Sequence, residues 1–277
     1  VKTMQPYLEE HFGNPHSLHS HGKKSSQAVE LAREKVASLI NCLNNEIIFT
    51  SGATESNNLA ILGLRALKDE GRNQVITVKT EHKCVLGAAS ELKRLGFIVH
   101  HLNVEKDGNI NLNSFEKLVS EKTALVSVMH ANNESGVINP IKKIGAICRK
   151  TGAIFHTDAA QSFGKIQIDV DEQNIDLLSI SGHKIYAPKG IGALFIRDEI
   201  KERLLPISFG GGQEGEIRSG TLPTSLCVGL GAASELAKSN IKKDQQKIKK
   251  QRDQFWSIVK GLAPFTYLNG PKTNRLY

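Results

Sequence analysis

The stretch SISGHKIYAPKG, residues 179–190, decides the fold and carries the first chemical signal. It overlaps the apolar run IDLLSISG (175–182), which reads as a buried strand, and its Gly and Pro residues punctuate the exit from that strand. Lys184 stands just past the strand end, beside His183. Lysine is costly to bury, and a surface lysine needs no such setting. Partial desolvation at a strand end would lower its pKa and make the amine nucleophilic, suited to a Schiff base with an aldehyde. The ordinary alternative is a lysine that snorkels its charge to solvent.

Six further β-rich runs surround this one: EIIFTSG (46–52), QVITVKT (74–80), FIVHHLNV (97–104), ALVSVMHA (124–131), AIFHTDAA (153–160) and GALFIR (192–197). Helical patterns separate most of them. In SSQAVELAREKVASLI (25–40), Val29, Ala32, Val36, Leu39 and Ile40 fall on one face, and Thr54 to Arg65 reads as a second helix. The alternation predicts an α/β protein, a mostly parallel sheet flanked by helices. A long helical stretch from Pro223 changes at residue 241 to a basic, polar composition. That shift predicts a large domain over 1–240 and, over 241–277, a linker helix with the start of a smaller α+β domain.

The 277 residues are 39% hydrophobic and 23% charged, which fits a globular protein, and no apolar run approaches the roughly 20 residues that span a bilayer. The net charge of +8 gathers partly in KKDQQKIKKQR (242–252). Aromatics make up only 5% and none interleave with that run, which argues against nucleic-acid binding. Cys42, Cys84, Cys148 and Cys227 lie far apart without CxxC or nearby metal-ligand spacing, so neither structural zinc nor a disulfide framework is expected. The chain begins at Val1 and ends at Tyr277 without a stop signal, and reads as a piece of a longer protein.

Four strand ends carry polar residues where α/β proteins collect functional groups. TSGATESNN (50–58) turns from strand to helix through small residues, which suits a phosphate at a helix N-terminus and equally suits an ordinary cap. Asp158 ends an apolar strand, with Gln161 three residues on; a structural N-cap would look the same. His82, directly after a strand, could stack on a ring and move protons, although a lone histidine usually does neither. Ser181 and His183 flank Lys184 with hydrogen-bonding groups. Together these meet three requirements of pyridoxal 5'-phosphate: a phosphate anchor, an acid for the pyridine nitrogen, and an amine for the aldehyde.

FGNPHS (12–17), FTSGATESNN (49–58), TEHKCVL (80–86), NNESGV (132–137), HTDAAQ (156–161), SISGHKIYAPKGIGAL (179–194), GGGQE (210–214) and RSGTLPT (218–224) resemble, in order, the signatures of cysteine desulfurases. These are class V aminotransferases of fold type I that supply sulfur to iron-sulfur clusters. The resemblance implies that Lys184 holds the cofactor covalently and that His82 stacks on its ring and relays protons. It further implies that Asp158 pairs with the pyridinium nitrogen while Gln161 and Asn133 bond near the phenolic oxygen. Ala53, Thr54, Ser181, Gly182 and His183 match phosphate-binding positions. Thr221 matches a residue that reaches the neighbouring subunit's phosphate, which implies a homodimer. The implied reaction converts L-cysteine to L-alanine and transfers sulfur as a protein persulfide.

In that family the persulfide cysteine and the substrate-binding arginine lie beyond the RSGT motif, and none of the four cysteines here matches the former. Ser135, Ala187 and GQEGEIRSG (212–220) depart from the usual Ile, Gly and Gly-Gln-Glu-Arg-Gly-Met-Arg-Ser-Gly. A selenocysteine lyase, an aminotransferase of the same class, or a form that binds cofactor without turnover are the alternatives. The implied partners are an iron-sulfur scaffold and a frataxin-type protein, in a bacterial cytoplasm or a mitochondrial matrix.

Overall fold

The structure is a computed structural model that describes all 277 residues. Each of the seven β-rich runs forms a strand: β1 (Ile47–Thr50), β2 (Gln74–Val78), β3 (Ile98–Leu102), β4 (Thr123–Ser127), β5 (Ile154–Asp158), β6 (Leu177–Ser181) and β7 (Gly192–Ile196). They make one sheet in the order β1-β7-β6-β5-β4-β2-β3. β7 is antiparallel to both its neighbours and every other pairing is parallel. The exception has a physical cause. A parallel return needs a crossover of a dozen or more residues, and the segment joining β6 to β7 is too short for one.

The helices are α1 (Pro6–Glu9), α2 (Ser20–Ile40), α3 (Ala53–Leu62), α4 (Lys83–Arg94), α5 (Leu112–Leu118), α6 (Ile141–Thr151) and α7 (Thr224–Leu262). The predicted helix from Thr54 to Arg65 is α3, followed by a 3-10 turn over Gly63–Lys68. Strand alternation sends neighbouring side chains to opposite faces, which separates two cores. Phe49, Val126, Phe155 and Phe195 pack with α2, α5, α6 and α7, whereas Ile48, Leu125, Ile154 and Leu194 pack with α3 and α4. With both faces covered, the strands are apolar nearly throughout, as a buried parallel sheet requires.

The α2 face matches the sequence pattern, with Val29, Ala32, Val36 and Ile40 buried and Leu39 at the margin. The periodicity did not reveal that Arg33 is buried on the same helix. α7 runs unbroken for 39 residues across position 240, so the change in composition there is not a break in the backbone. It marks where the helix leaves the core, since every buried residue of α7 lies between Thr224 and Ser234. After the helix the chain returns to the 136–138 segment, where Leu276 N donates to Gly136 O and Arg275 bridges to Val137.

Candidate active site

The parallel strands β1, β2, β4, β5 and β6 all point their C-terminal ends at one cleft of roughly 530 Å³. Its floor and walls include Gly52, Ala53, Thr54, His82, Asn133, Asp158, Gln161, Ser181, His183 and Lys184. Residues spread over more than 130 positions are thus brought together by topology, at the edge where α/β folds place ligands. Gly182 lies just behind, buried, and a Cβ there would meet Ile191 O at 2.8 Å. Thr221 is exposed and lines no part of this cleft.

The strand-to-helix turn at Gly52 is built by close approach. Gly52 has φ +147, and a Cβ on Gly192 in β7 would lie 2.4 Å from Ile180 O and 2.6 Å from Gly52 Cα. Ser56 Oγ ties the same turn down, 2.8 Å from Thr50 Oγ1 and 3.0 Å from Ala193 O. The first N–H groups of α3 have no intrahelical partner and carry the positive end of the helix dipole. Glu55 turns away from them: its carboxylate accepts from Ser51 N at 2.6 Å and from Arg218 Nε at 2.8 Å. Burial alone would raise its pKa, but these bonds hold the Glu55 carboxyl below the ordinary range.

Asp158, at the end of β5, is only 5% exposed. Its Oδ1 accepts from Ala160 N at 2.8 Å and its Oδ2 from Asn57 Nδ2 at 2.7 Å. No cation of the chain pairs with it, and burial pushes its carboxyl above the usual range despite those two donors. Glu81 lies buried at the same end of the sheet, accepting from Met129 N at 2.6 Å, and burial holds it well above its ordinary range. His130, also buried, is pushed down by burial to about 4 and is neutral.

His82 caps α4. Its Nδ1 accepts from Cys84 N at 3.3 Å and lies 2.9 Å from Cys84 Sγ. Lys184 occupies a 3-10 turn (Gly182–Ile185) on the cleft wall, exposed to solvent. The desolvation expected for it is not supplied by the chain's own atoms, because the turn projects its side chain from the strand end instead of folding it under. Gln161 Oε1 is approached by Lys165 Nζ at 3.3 Å. Burial, and then the nearby Lys184 charge, lower the pKa of Lys165. Asn133 Nδ2 donates to Glu134 at 2.8 Å on the exposed rim.

Sequence reasoning missed Asn57, Cys84 and the pair that anchors the wall. Asn57 is fully buried, with Nδ2 bonded to both Asp158 and Cys84 Sγ and with Oδ1 unpartnered. A carboxamide on the apolar side of α3 was the available signal. Behind the cleft wall, Arg33 of α2 grips Glu214 at 2.7 and 2.9 Å, and Glu214 also accepts from Phe49 N at 2.5 Å. This ties the segment before Thr221 to β1.

Two observations show that these residues fit pyridoxal phosphate. The space that a Cβ of Gly52 would fill is open, which leaves a cradle at the α3 N-terminus for a phosphate. Asp158 is a buried acid lacking a cationic partner, which a pyridinium N–H supplies.

Comparison with known proteins agrees. The profile of the class V aminotransferases matches residues 1–276, and the chain belongs to that family, within it to the cysteine desulfurases. Members are pyridoxal phosphate-dependent, and the sheet described above is their fold type I large domain. More particularly, the chain is 53% identical over 278 residues to the cysteine desulfurase IscS of Ehrlichia chaffeensis, covering 100% of this chain and 68% of that protein. It is 51% identical over 276 residues to IscS of Rickettsia felis, covering 99% and 67%. Among solved structures, a NifS-like protein superposes with a TM-score of 0.95 at 35% identity, covering 99% of this chain and 75% of that one. SspA in complex with cysteine gives 0.82 at 46% identity, covering 84% and 67%. The chain spans about two-thirds of the length of these IscS relatives.

Proposed function

We propose that this cleft carries out the pyridoxal phosphate-dependent desulfurisation of L-cysteine to L-alanine, with sulfur leaving as a protein persulfide for iron-sulfur cluster assembly. The observation that carries the reading is the convergence of Lys184, Asp158 and the α3 N-terminus on one cleft. When bound, the cofactor supplies an electron sink for charge that develops on the substrate. Lys184 Nζ is the amine that retains it covalently. Asp158 keeps the ring nitrogen protonated, and Ala53, Thr54, Ser181, Gly182 and His183 offer donors to the phosphate. Asn133 and Gln161 orient the ring through its phenolic oxygen. His82, whose Nε2 has no partner within the chain, moves protons at the substrate.

In the sulfur step a thiolate attacks the substrate sulfur, forming an S–S bond as the C–S bond breaks. The electron pair stays with the carbon fragment, which gains a proton to become alanine. Burial raises the pKa of each of the four cysteines, so none of them is primed as that thiolate. A thiol outside this cleft is the nucleophile. By the same reading, Thr221 completes the site of a second copy in a homodimer. Residues 241–277 open a second, smaller domain, and a scaffold and a frataxin-type protein are the partners. A bacterial cytoplasm or mitochondrial matrix is the setting; no helix is long and apolar enough to cross a membrane.

The test is Lys184→Ala. The parent chain with pyridoxal phosphate should show the visible absorbance of a covalently held cofactor and be labelled by borohydride, and the variant should show neither. Because none of the chain's own cysteines is primed, L-cysteine should then yield alanine and sulfide only slowly, with an added reducing thiol serving as the nucleophile. A cofactor band that does not need Lys184 overturns the assignment of the site.

A further inference from the structure

The group that holds His82 in place is not accounted for by the cofactor contacts. His82 is exposed at the cleft edge, and the only hydrogen bonds of its side chain within the chain are made by Nδ1, to Cys84 N at 3.3 Å and to Cys84 Sγ at 2.9 Å. Cys84 Sγ in turn receives Asn57 Nδ2 at 3.1 Å, and the same Asn57 nitrogen donates to Asp158 Oδ2 at 2.7 Å. Four side chains from β5, α3 and the start of α4 are therefore linked in series.

The donor inventory gives the series a direction. A carboxylate only accepts, so Asp158 fixes which way the buried Asn57 amide faces: nitrogen toward Oδ2, never oxygen. The second hydrogen of that nitrogen is then directed at Cys84 Sγ, which accepts it. A backbone N–H only donates, so Cys84 N makes Nδ1 of His82 the acceptor. Thr54, the other side chain that bonds Cys84, donates its hydroxyl to Sγ, so the one proton that Sγ can give is left for the lone pair of the same Nδ1, which it shares with Cys84 N. We propose that Asn57 and Cys84 are positioning residues that hold the His82 ring in place with its proton on Nε2, facing the cleft. This rests on the reading of His82 as the proton-moving group. Burial keeps the Cys84 thiol protonated at neutral pH, as a donor must be. The same bonds explain why a cysteine lining the cleft serves as a donor and not as a nucleophile.

The inference is tested on the chain labelled with ¹⁵N-histidine and freed of cofactor, with the His82 signals assigned by their loss in His82→Gln. The parent should show an acceptor-type Nδ1 and a proton-bearing Nε2. Cys84→Ser, which keeps a donor, should retain that pattern, whereas Cys84→Val, which keeps the volume and loses the donor, should move the shifts toward a tautomer average. Melting temperatures identify any variant that fails to fold; Cys84→Ala, which cannot overpack, then replaces Cys84→Val. In the loaded enzyme, losing one net hydrogen bond should lower kcat by about two- to tenfold with KM unchanged, restored by serine. A proton on Nδ1 in the parent, or shifts that ignore the loss of the thiol, overturns the proposal. Correct shifts in an enzyme without turnover leave the chain of bonds standing and remove the functional reading of His82 instead.

Discussion

Replacing Asp158 with asparagine separates two effects of one carboxylate. Buried with only neutral donors, Ala160 N and Asn57 Nδ2, it destabilises the chain alone; paired with a pyridinium, it retains the cofactor. A hydrogen bond to a charged group contributes about 1.5–3 kcal/mol net, and each 1.4 kcal/mol is a factor of ten, so Asp158→Asn should weaken cofactor retention by about 10- to 150-fold. The sign on stability is opposite. The folded pKa lies above the unfolded value of 3.8, so as pH rises from there to the folded value, the unfolded chain releases a proton that the native chain keeps. Stability of the cofactor-free chain therefore falls across that window and is untouched below it.

Asparagine removes that part of the slope. Asn57 can turn its unpartnered Oδ1 toward the new amide, so the variant without cofactor should be no less stable than the parent at neutral pH. The slope that remains is shared: Glu81 and Asp176, also raised by burial, act with the same sign above their ordinary 4.5 and 3.8, whereas the buried His130 and His156, pushed down to about 4 and about 3, act with the opposite sign up to the ordinary 6.5. The assay is equilibrium dialysis of pyridoxal phosphate together with denaturant melts from pH 4 to 7. A cofactor affinity changed by less than threefold, or a variant whose melts keep the parent's full pH slope, would refute the reasoning.

Other substitutions probe the frame around the cleft. Glu214→Ala leaves the buried Arg33 guanidinium with only the exposed Glu30 and Ile47 O as partners and Phe49 N without its acceptor, and should destabilise by about 1.5–3 kcal/mol, a fall in Tm of about 3–12 °C. Changing both partners to apolar residues should recover most of that loss, and additive losses in a double-mutant cycle would contradict it. Gly192→Ala puts a methyl against three backbone atoms, Ile180 O and the Cα and C of Gly52, at under 3 Å. It should cost about 1–3 kcal/mol and, because Gly52 must move, weaken phosphate binding as well. Thermal melts and phosphate competition measure the two effects.

The fold was legible because its signals are local. All seven β-rich runs became strands, and the α2 stripe from Val29 to Ile40 points inward as its spacing required. The motif residues Ala53, Thr54, His82, Asn133, Asp158, Gln161, Ser181, His183 and Lys184 meet at one cleft because each follows the C-terminal end of a parallel strand. What the sequence hid is what depends on pairs. Arg33 looked like a surface charge on an amphipathic helix, and its partner Glu214 lies 181 positions away. Asn57 lies on the apolar side of α3 without explanation from its own helix, and the partner that satisfies it there, Asp158, is 101 positions further on. The antiparallel turn of β7 was likewise set by the length of a connection and not by the composition of the strand.

These hidden pairs gather at the cleft for an energetic reason. The buried Asp158 and Glu81 carboxyls, the neutral His130 and the unpartnered Asn57 Oδ1 all sit where the strands end, and each is unfavourable by itself. The rest of the sheet is filled mostly by apolar side chains such as Phe49, Phe155 and Phe195, and its buried histidine, His156, is bonded at both ring nitrogens, to Ser127 and Ser179. Pairing rules favour removing such groups from an apolar interior, because well-packed hydrophobic replacements are often neutral or stabilising. A site with a buried acid that lacks a cationic partner is therefore better explained by a ligand than by folding. Pyridoxal phosphate should raise the Tm of the parent chain by more than that of Asp158→Asn at equal concentration, since only the parent exchanges an unpaired buried acid for a paired one. Equal shifts would mean that the phosphate cradle alone accounts for binding, and that the buried acid is there for some other reason.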